Sequence, residues 1–215
     1  MKSAIVAAFA VAALAPAAFA QQPAAAPGDA NAVKPVITYV TPKSTKPLVV
    51  TTPAFKTGDD YPFDNTQYRG NHFPGFAWTK GPAGTKSYVI IMQDPDILAR
   101  GAAILHWTLF NIPASVTKLD ASMTAPPAGA SYGPNYKGAS QPYLGPRTPP
   151  GPKHHYHIQV FALDTTIPDG AGASFDTLVA GLQGHVLADG ELIGMGQADP
   201  TAPPPPPRPA PAAAQ

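Results

Sequence analysis

Prolines, 29 of them in 215 residues, punctuate this chain together with 19 glycines. Inside a helix a proline removes a hydrogen bond and clashes with the preceding turn, at about 3 kcal/mol or more, and a glycine costs about 1 kcal/mol relative to alanine. A helical bundle or coiled coil is therefore excluded. Such folds also need Glu in quantity, and it occurs once, at Glu191. Hydrophobic residues make up 44% of the chain, enough to bury a core, so wholesale disorder is excluded as well. The formal net charge of +1 offers no broad basic surface, which argues against a nucleic-acid partner. With no cysteine there are no disulfides, no thiolate metal sites and no cysteine nucleophile.

The two ends differ in character from the middle. Residues 1–20 have the three parts of a signal peptide: Lys2, an apolar run from Ala4 to Ala15, and the small-x-small site Ala18-Phe19-Ala20. Cleavage after Ala20 and export to the periplasm or beyond are expected. Pro16 interrupts a run already short of the ~20 residues that span a bilayer, so no transmembrane anchor is expected. Residues 21–33 read as an Ala/Pro/Gly linker, and residues 201–215, with Pro203 to Pro207, Pro209 and Pro211, as a solvated extended tail. Residues 34–200 form one domain.

Strand signals dominate that domain. Ser87-Tyr88-Val89-Ile90-Ile91-Met92-Gln93 is almost continuously apolar, as suits a strand covered on both faces. Ala103 to Ile112 is a second strand, in which alternation places Leu105, Trp107 and Leu109 on one face and His106, Thr108 and Phe110 on the other. In a third, Tyr156 to Leu163, Tyr156, Ile158 and Val160 alternate with His155, His157, Gln159 and Phe161. One helix is expected near the end, with Ser174 as N-cap, Asp176 in its first turn and Leu178, Leu182 and Val186 at helical spacing. The fold class is mostly β: an antiparallel sandwich with one or two short helices at its periphery.

Several catalytic patterns fail on inspection. Gly129-Ala130-Ser131-Tyr132-Gly133 matches the nucleophile elbow in letters, but Pro126, Pro127 and Pro134 deny it the strand and helix that aim the serine. His155 and His157 share a strand face, yet a cupin-like metal centre adds a carboxylate and a further His, and the single Glu is not within reach in sequence. No metal or other cofactor is implied, and no enzyme. A more informative grouping joins Asp94-Pro95-Asp96, read as a strand end, to His106-Trp107 on the next strand and to Pro149-Pro150-Gly151 leading into His154. A carboxylate can fix the tautomer of an imidazole, and a fixed imidazole with loop N–H groups suits a phosphate-like oxyanion.

In order and content, these blocks resemble the phosphatidylethanolamine-binding protein family, in particular its bacterial Raf-kinase-inhibitor-like branch. The resemblance runs from about Ala54 to Gln197. It includes Phe73-Pro74-Gly75-Phe76-Ala77-Trp78, Asp94-Pro95-Asp96, His106-Trp107, Tyr143-Leu144-Gly145-Pro146, Pro149-Pro150-Gly151, His154-His155-Tyr156 and Gly184-His185-Val186. It implies a β-sandwich whose small cavity takes a phosphate-bearing group such as a phospholipid head group. By motif position that cavity is lined by Asp94, Asp96, His106, Gly145, Pro149, Pro150, His154 and Tyr156. It also implies binding rather than catalysis, with pairing into a homodimer as in many bacterial relatives. The rival expectation is a protein-interaction module that inhibits a protease or kinase-type partner and keeps only a vestigial cavity.

Three positions depart from the family pattern. Ile97-Leu98 follows Asp96 where Ala-Pro is usual; Arg147-Thr148 puts two residues where the branch has one; and His155 replaces an Arg. The last change exchanges a permanent cation for a titratable one. From the signal segment, the exported protein is expected to begin at Gln21; intact-mass measurement on periplasmic material checks this, and full-length chain in the membrane fraction contradicts it.

Overall fold

A computed structural model describes residues 31–168 and 174–203. The signal segment, most of the linker, Gly170-Ala171-Gly172 and the proline tail from residue 204 lie outside the described residues. Besides two 3-10 turns at Val36–Thr38 and Phe63–Asn65, the described residues form eight strands and one α-helix: β1 Val50–Thr51, β2 Phe76–Trp78, β3 Ser87–Ala99, β4 Ala102–Pro113, β5 Lys118–Leu119, β6 Ser131–Tyr132, β7 His154–Leu163, α1 Phe175–Ala180 and β8 Val186–Gly196. They form two antiparallel sheets, one of order β6-β4-β3-β7-β8 and one of order β1-β2-β5. Among the described residues no helix is long and apolar enough to cross a membrane.

The small sheet closes over one face of the large one. Val50, Phe76, Trp78 and Leu119 meet Tyr88, Ile90, Met92, Trp107, Leu109, Tyr156 and Ile158 in the principal core. The other face is covered by the N-terminal arm and the helix, through Val36, Val40, Leu178 and Leu182 against Val89, Ile91, Leu105, Phe110 and Phe161. β3 is therefore buried on both sides from Ser87 to Asp94, as its unbroken apolar run predicts. Each fully buried Ile or Leu contributes about 1.5–3 kcal/mol, so these two cores supply most of the drive to fold. The arm also covers the outer edge of β8: Lys43, Ser44 and Leu48 donate backbone hydrogen bonds to the carbonyls of Val186, Leu187 and Asp189. An otherwise open sheet edge is thereby blocked.

Three expectations need correction. The Asp94-Pro95-Asp96 segment does not end its strand. β3 leaves β7 after the Gln93–His157 pair but stays with β4, bulging at residues 95–97 before a two-residue turn at Arg100-Gly101. Strict alternation also fails in β4. Met92 pairs with Trp107 while Gln93 pairs with Leu105, so His106 is one extra residue. That bulge sends Leu105 to the arm side, away from Trp107 and Leu109, and keeps His106 on the same side as Trp107. Finally, the helix is shorter than its apolar spacing suggests. Ser174 caps it as expected, accepting from the Thr177 N–H, but Gly181 ends it, and Val186 opens β8 instead.

The arm is fastened by two fully buried glutamines. Gln93 Oε1 accepts from the Val36 N–H at 3.0 Å and from Gln159 Nε2 at 3.0 Å, and Gln159 Oε1 accepts from the Ile37 N–H at 2.7 Å. Replacing Gln159 by Leu strands the Ile37 N–H, and a buried unsatisfied donor costs about 1–3 kcal/mol. Gln159→Leu should therefore lower stability in urea denaturation by about that amount, whereas a surface change such as Lys80→Gln should stay within about 0.5 kcal/mol.

Candidate functional site

The polar centre of the molecule forms where β3 parts from β7. Asp94 is 1% exposed there, a burial that an ionised carboxylate tolerates only when paired. Its Oδ2 accepts from His154 Nδ1 at 2.7 Å, and its Oδ1 accepts from the backbone N–H of Asp96 at 3.0 Å. Both oxygens are thus committed to the protein. Asp94 orients His154 and leaves that ring's Nε2 as the atom facing away from the carboxylate.

His106, the extra residue of the β4 bulge, stands beside this pair. Its Nδ1 donates to the Leu144 carbonyl at 3.0 Å, so the neutral ring carries its proton on Nδ1 and a lone pair on Nε2. Burial pushes the His106 imidazole below its ordinary value of 6.5, although the charge of Asp94 and the carbonyls of Leu144 and Gly145 pull the other way. The ring lies 5.1 Å from Tyr156 and 5.5 Å from Tyr136, edge-on to both. Tyr156 shares a hydrogen bond with Thr148 Oγ1 at 3.0 Å, and burial, then the nearby Asp94 charge, raise its hydroxyl far above the usual phenol range. It acts as a neutral hydrogen-bonding group.

A loop laced to its neighbours supports these rings. Gly145 donates to Asn71 Oδ1 at 2.7 Å and accepts from Gln67 Nε2 at 2.6 Å; a Cβ on it would lie 2.2 Å from the Asn65 carbonyl, so only glycine fits. Gln67 also accepts from the Tyr136 hydroxyl at 3.2 Å, while Asn71 Nδ2 donates to the Tyr143 carbonyl at 3.1 Å. Beneath Tyr156 lies Gly196 of β8, where a Cβ would come within 2.2 Å of the ring. Of the two residues at the departure 147–148, Arg147 points outward over the ring of Tyr68, and Thr148 is the buried partner of Tyr156.

Asp94, His106, Gly145, His154 and Tyr156 are therefore brought together, as the motif order implies. Asp96, Pro149 and Pro150 are not part of that cluster. Asp96 turns to the opposite face of β7, where its Oδ2 accepts from both the backbone N–H and Nδ1 of His155. Partial burial pushes the Asp96 carboxyl up, but the His155 hydrogen bonds outweigh it and hold the group below its ordinary value. Pro149 and Pro150 border a separate hollow of about 220 Å³ with Tyr68, Arg147, Ala198 and Asp199. Thr201, placed by the sequence in the free tail, is bound to Asp199 and Arg69. Hydrogen bonds from Arg69 hold the Asp199 carboxyl down to about 2, which anchors this last described segment.

Other supporting residues were missed from sequence. Gln67, Asn71, Tyr136, Thr148 and Gly196 reach the cluster only through tertiary contact, and none sits in a pattern that marks it. The statement that Glu191 is out of reach of the histidines is also corrected: the β7–β8 pairing brings its Oε1 within 2.8 Å of His157 Nδ1. Ser131 lies exposed in the two-residue strand β6, with no helix after it, so the elbow pattern is a coincidence of letters.

Comparison with known proteins points to one family. A family model described as phosphatidylethanolamine-binding protein matches residues 51–197. The chain is 35% identical over 128 residues to a UPF0098 protein of Methanothermobacter thermautotrophicus, covering 58% of this chain and 82% of that one. It is 38% identical over 130 residues to the UPF0098 protein YbcL of Escherichia coli, covering 57% and 70% respectively. The crystal structure of YbcL, described as a new member of the mammalian PEBP family, matches with a TM-score of 0.63 at 31% identity, over 72% of this chain and 100% of that one. A PEBP homolog from Chlamydia trachomatis matches with a TM-score of 0.64 at 26% identity, with the same coverage. With the two antiparallel sheets, the ordered motifs and a family match over most of its length in agreement, this chain belongs to the phosphatidylethanolamine-binding protein family.

Proposed function

We propose that this protein is an exported, non-enzymatic binding protein whose Asp94–His154–His106–Tyr156 cluster takes a phosphate-like anion or a phospholipid head group. The observation that carries the reading is the shared orientation of the two imidazoles. Each gives its Nδ1–H to a fixed acceptor, Asp94 for His154 and Leu144 for His106, and each leaves Nε2 for a ligand. A neutral Nε2 can accept from a protonated phosphate or an ammonium, and a protonated one donates a charge-assisted hydrogen bond to an oxyanion. Asp94, with both oxygens engaged, orients the ring instead of opposing the anion.

Binding rather than catalysis is favoured by the company the imidazoles keep. Among the described residues no hydroxyl hydrogen-bonds to either ring, and the neighbouring Thr148 hydroxyl is engaged with Tyr156. A nucleophile paired with its base, as acyl transfer requires, is therefore not part of the arrangement. Ser131→Ala should alter nothing. The family match, which names phosphatidylethanolamine, supports a phosphate-bearing ligand.

The lowered pKa of His106 gives the reading a definite pH signature. A folded-state imidazole below the unfolded value near 6.5 means that the unfolded chain binds more protons in the interval between the two, so the ligand-free protein should lose stability as pH falls below about 6.5. An anion on the ring favours its protonated form. Phosphate and phosphoethanolamine should therefore bind more tightly at pH 5.5 than at 7.5 and offset that loss. In calorimetric titrations His106→Ala and His154→Ala should each weaken binding by about tenfold or more, the scale of a charge-assisted hydrogen bond. Asp94→Asn should weaken it through lost orientation, and Gly196→Ala by displacing the Tyr156 ring. His157→Ala, on the other face, should change it little. Affinity that ignores pH, or damage from His157→Ala equal to that from His106→Ala, refutes the assignment. Absent phosphate binding combined with a saturable protein partner replaces it with the inhibitor reading.

A further inference from the structure

The opposite face of β7 carries a second group of histidines that the anion cluster does not use. His155 and His157 stand side by side there, with ring centroids 6.5 Å apart. Each Nδ1 is held by a carboxylate at 2.8 Å, Asp96 for His155 and Glu191 for His157. No described residue hydrogen-bonds either Nε2. A carboxylate fixing one ring nitrogen while the other stays free is the outer-shell arrangement of metal-ligating histidines. Exposure is also suitable, with the His155 side chain 49% and the His157 side chain 15% accessible.

A third donor comes from the neighbouring strand. Met195 is the register partner of His155 across the β7–β8 pair and belongs to the half-buried set of β8 that includes Glu191, which reaches His157 on this face. Opposed residues on one sheet face have Cβ atoms about 4.5–5.5 Å apart, within reach for a shared ion. We propose that this face binds copper through His155 Nε2, His157 Nε2 and the Met195 thioether. Two imidazoles on one ion, with metal–nitrogen bonds of about 2.0–2.1 Å, place their centroids at most roughly 6.4 Å apart. A trigonal ion that also takes the thioether sets them at roughly 5.5 Å, so the half-exposed His155 ring must swing toward His157 by about 1 Å on binding. The donor set selects the metal. Among the described residues no three His, Cys, Asp or Glu side chains converge on a point, so a zinc centre built from those ligands is not available. Two imidazoles plus a thioether suit Cu(I), which accepts soft ligands and low coordination. The carboxylates of Asp96 and Glu191 serve as orienting partners and not as ligands.

The site lies across the strand from the anion cluster, and the proposal stands independently of it. The exported protein should be titrated with Cu(I) against a chromophoric chelator without oxygen, and separately with Cu(II) and Zn(II). One equivalent of Cu(I) should bind in preference to Zn(II). The double variant His155→Ala/His157→Ala should lose about 100-fold or more in affinity, and Glu191→Gln about 10-fold through its outer-shell role. Met195→Leu should cost roughly tenfold for Cu(I) and much less for Cu(II), since only the soft ion uses the thioether. His185→Ala should have no effect. Where a variant fails to fold, amide NMR of the unaltered protein gives the answer: Cu(II) should broaden residues around His155, His157 and Met195. Retained affinity in the double variant, zinc bound as tightly as Cu(I), or broadening centred on His106 and His154 overturns the proposal.

Discussion

Burial of β3 on both faces is the constraint on which the rest of this fold depends. A strand with a core on each side has no solvent-facing positions, so any polar residue it carries must be answered from within the protein. Gln93 and Asp94 occupy the last two fully covered positions and point to opposite faces. β7 answers both. Gln159 meets Gln93 on the arm side, and His154 meets Asp94 on the side of the small sheet. The first pair fastens the N-terminal arm, which completes the second core, and the second pair creates the polar cluster.

Shape at the cluster comes from irregularity. The bulge of β4 puts His106 beside Tyr156, and the longer bulge of β3 lets the Asp96 amide return to Asp94 while its carboxylate leaves for the outer face. The supporting loop contains almost no regular structure and holds its position by hydrogen bonds that involve the side chains of Gln67, Asn71, Tyr68 and Tyr143. Losing any one of these hydrogen bonds loosens the frame around two rings whose directions matter.

The sequence shows the strands well and their faults poorly. The apolar run of 87–93 falls in β3, which is covered on both faces, and alternation of burial is confined to 154–157 at the start of β7, whose residues 158–163 are buried on both faces. The bulge at His106 leaves no such mark: one extra residue in a strand of mixed polar and aromatic residues reads the same as regular alternation. Asp94-Pro95-Asp96 reads as a strand end because proline and aspartate usually break a strand; here the hairpin continues on β4 alone, where a missing N–H has no β7 acceptor to disappoint. The histidines and Asp94 were legible through their motif order. Thr148 and Gly196 were not, since a buried threonine and a strand glycine acquire meaning only once Tyr156 lies against them.

β7 divides the molecule chemically as well as structurally. His154 turns inward to a carboxylate with 1% exposure, and the next residue, His155, turns outward to one that is 37% exposed. The side-chain period of a strand is two residues, so sliding β7 by one position would exchange these neighbours. In one direction Asp94 would then face Lys153 in place of an imidazole, and in either direction Gln159 would leave Gln93 for the principal core. Hydrophobic patterning alone would penalise such a slip, but here the buried polar pairs penalise it further. The register of this strand is thus written in its polar pairs as well as its apolar ones, and a one-residue insertion between His154 and His155 would take the imidazole from Asp94 even where the apolar core survived.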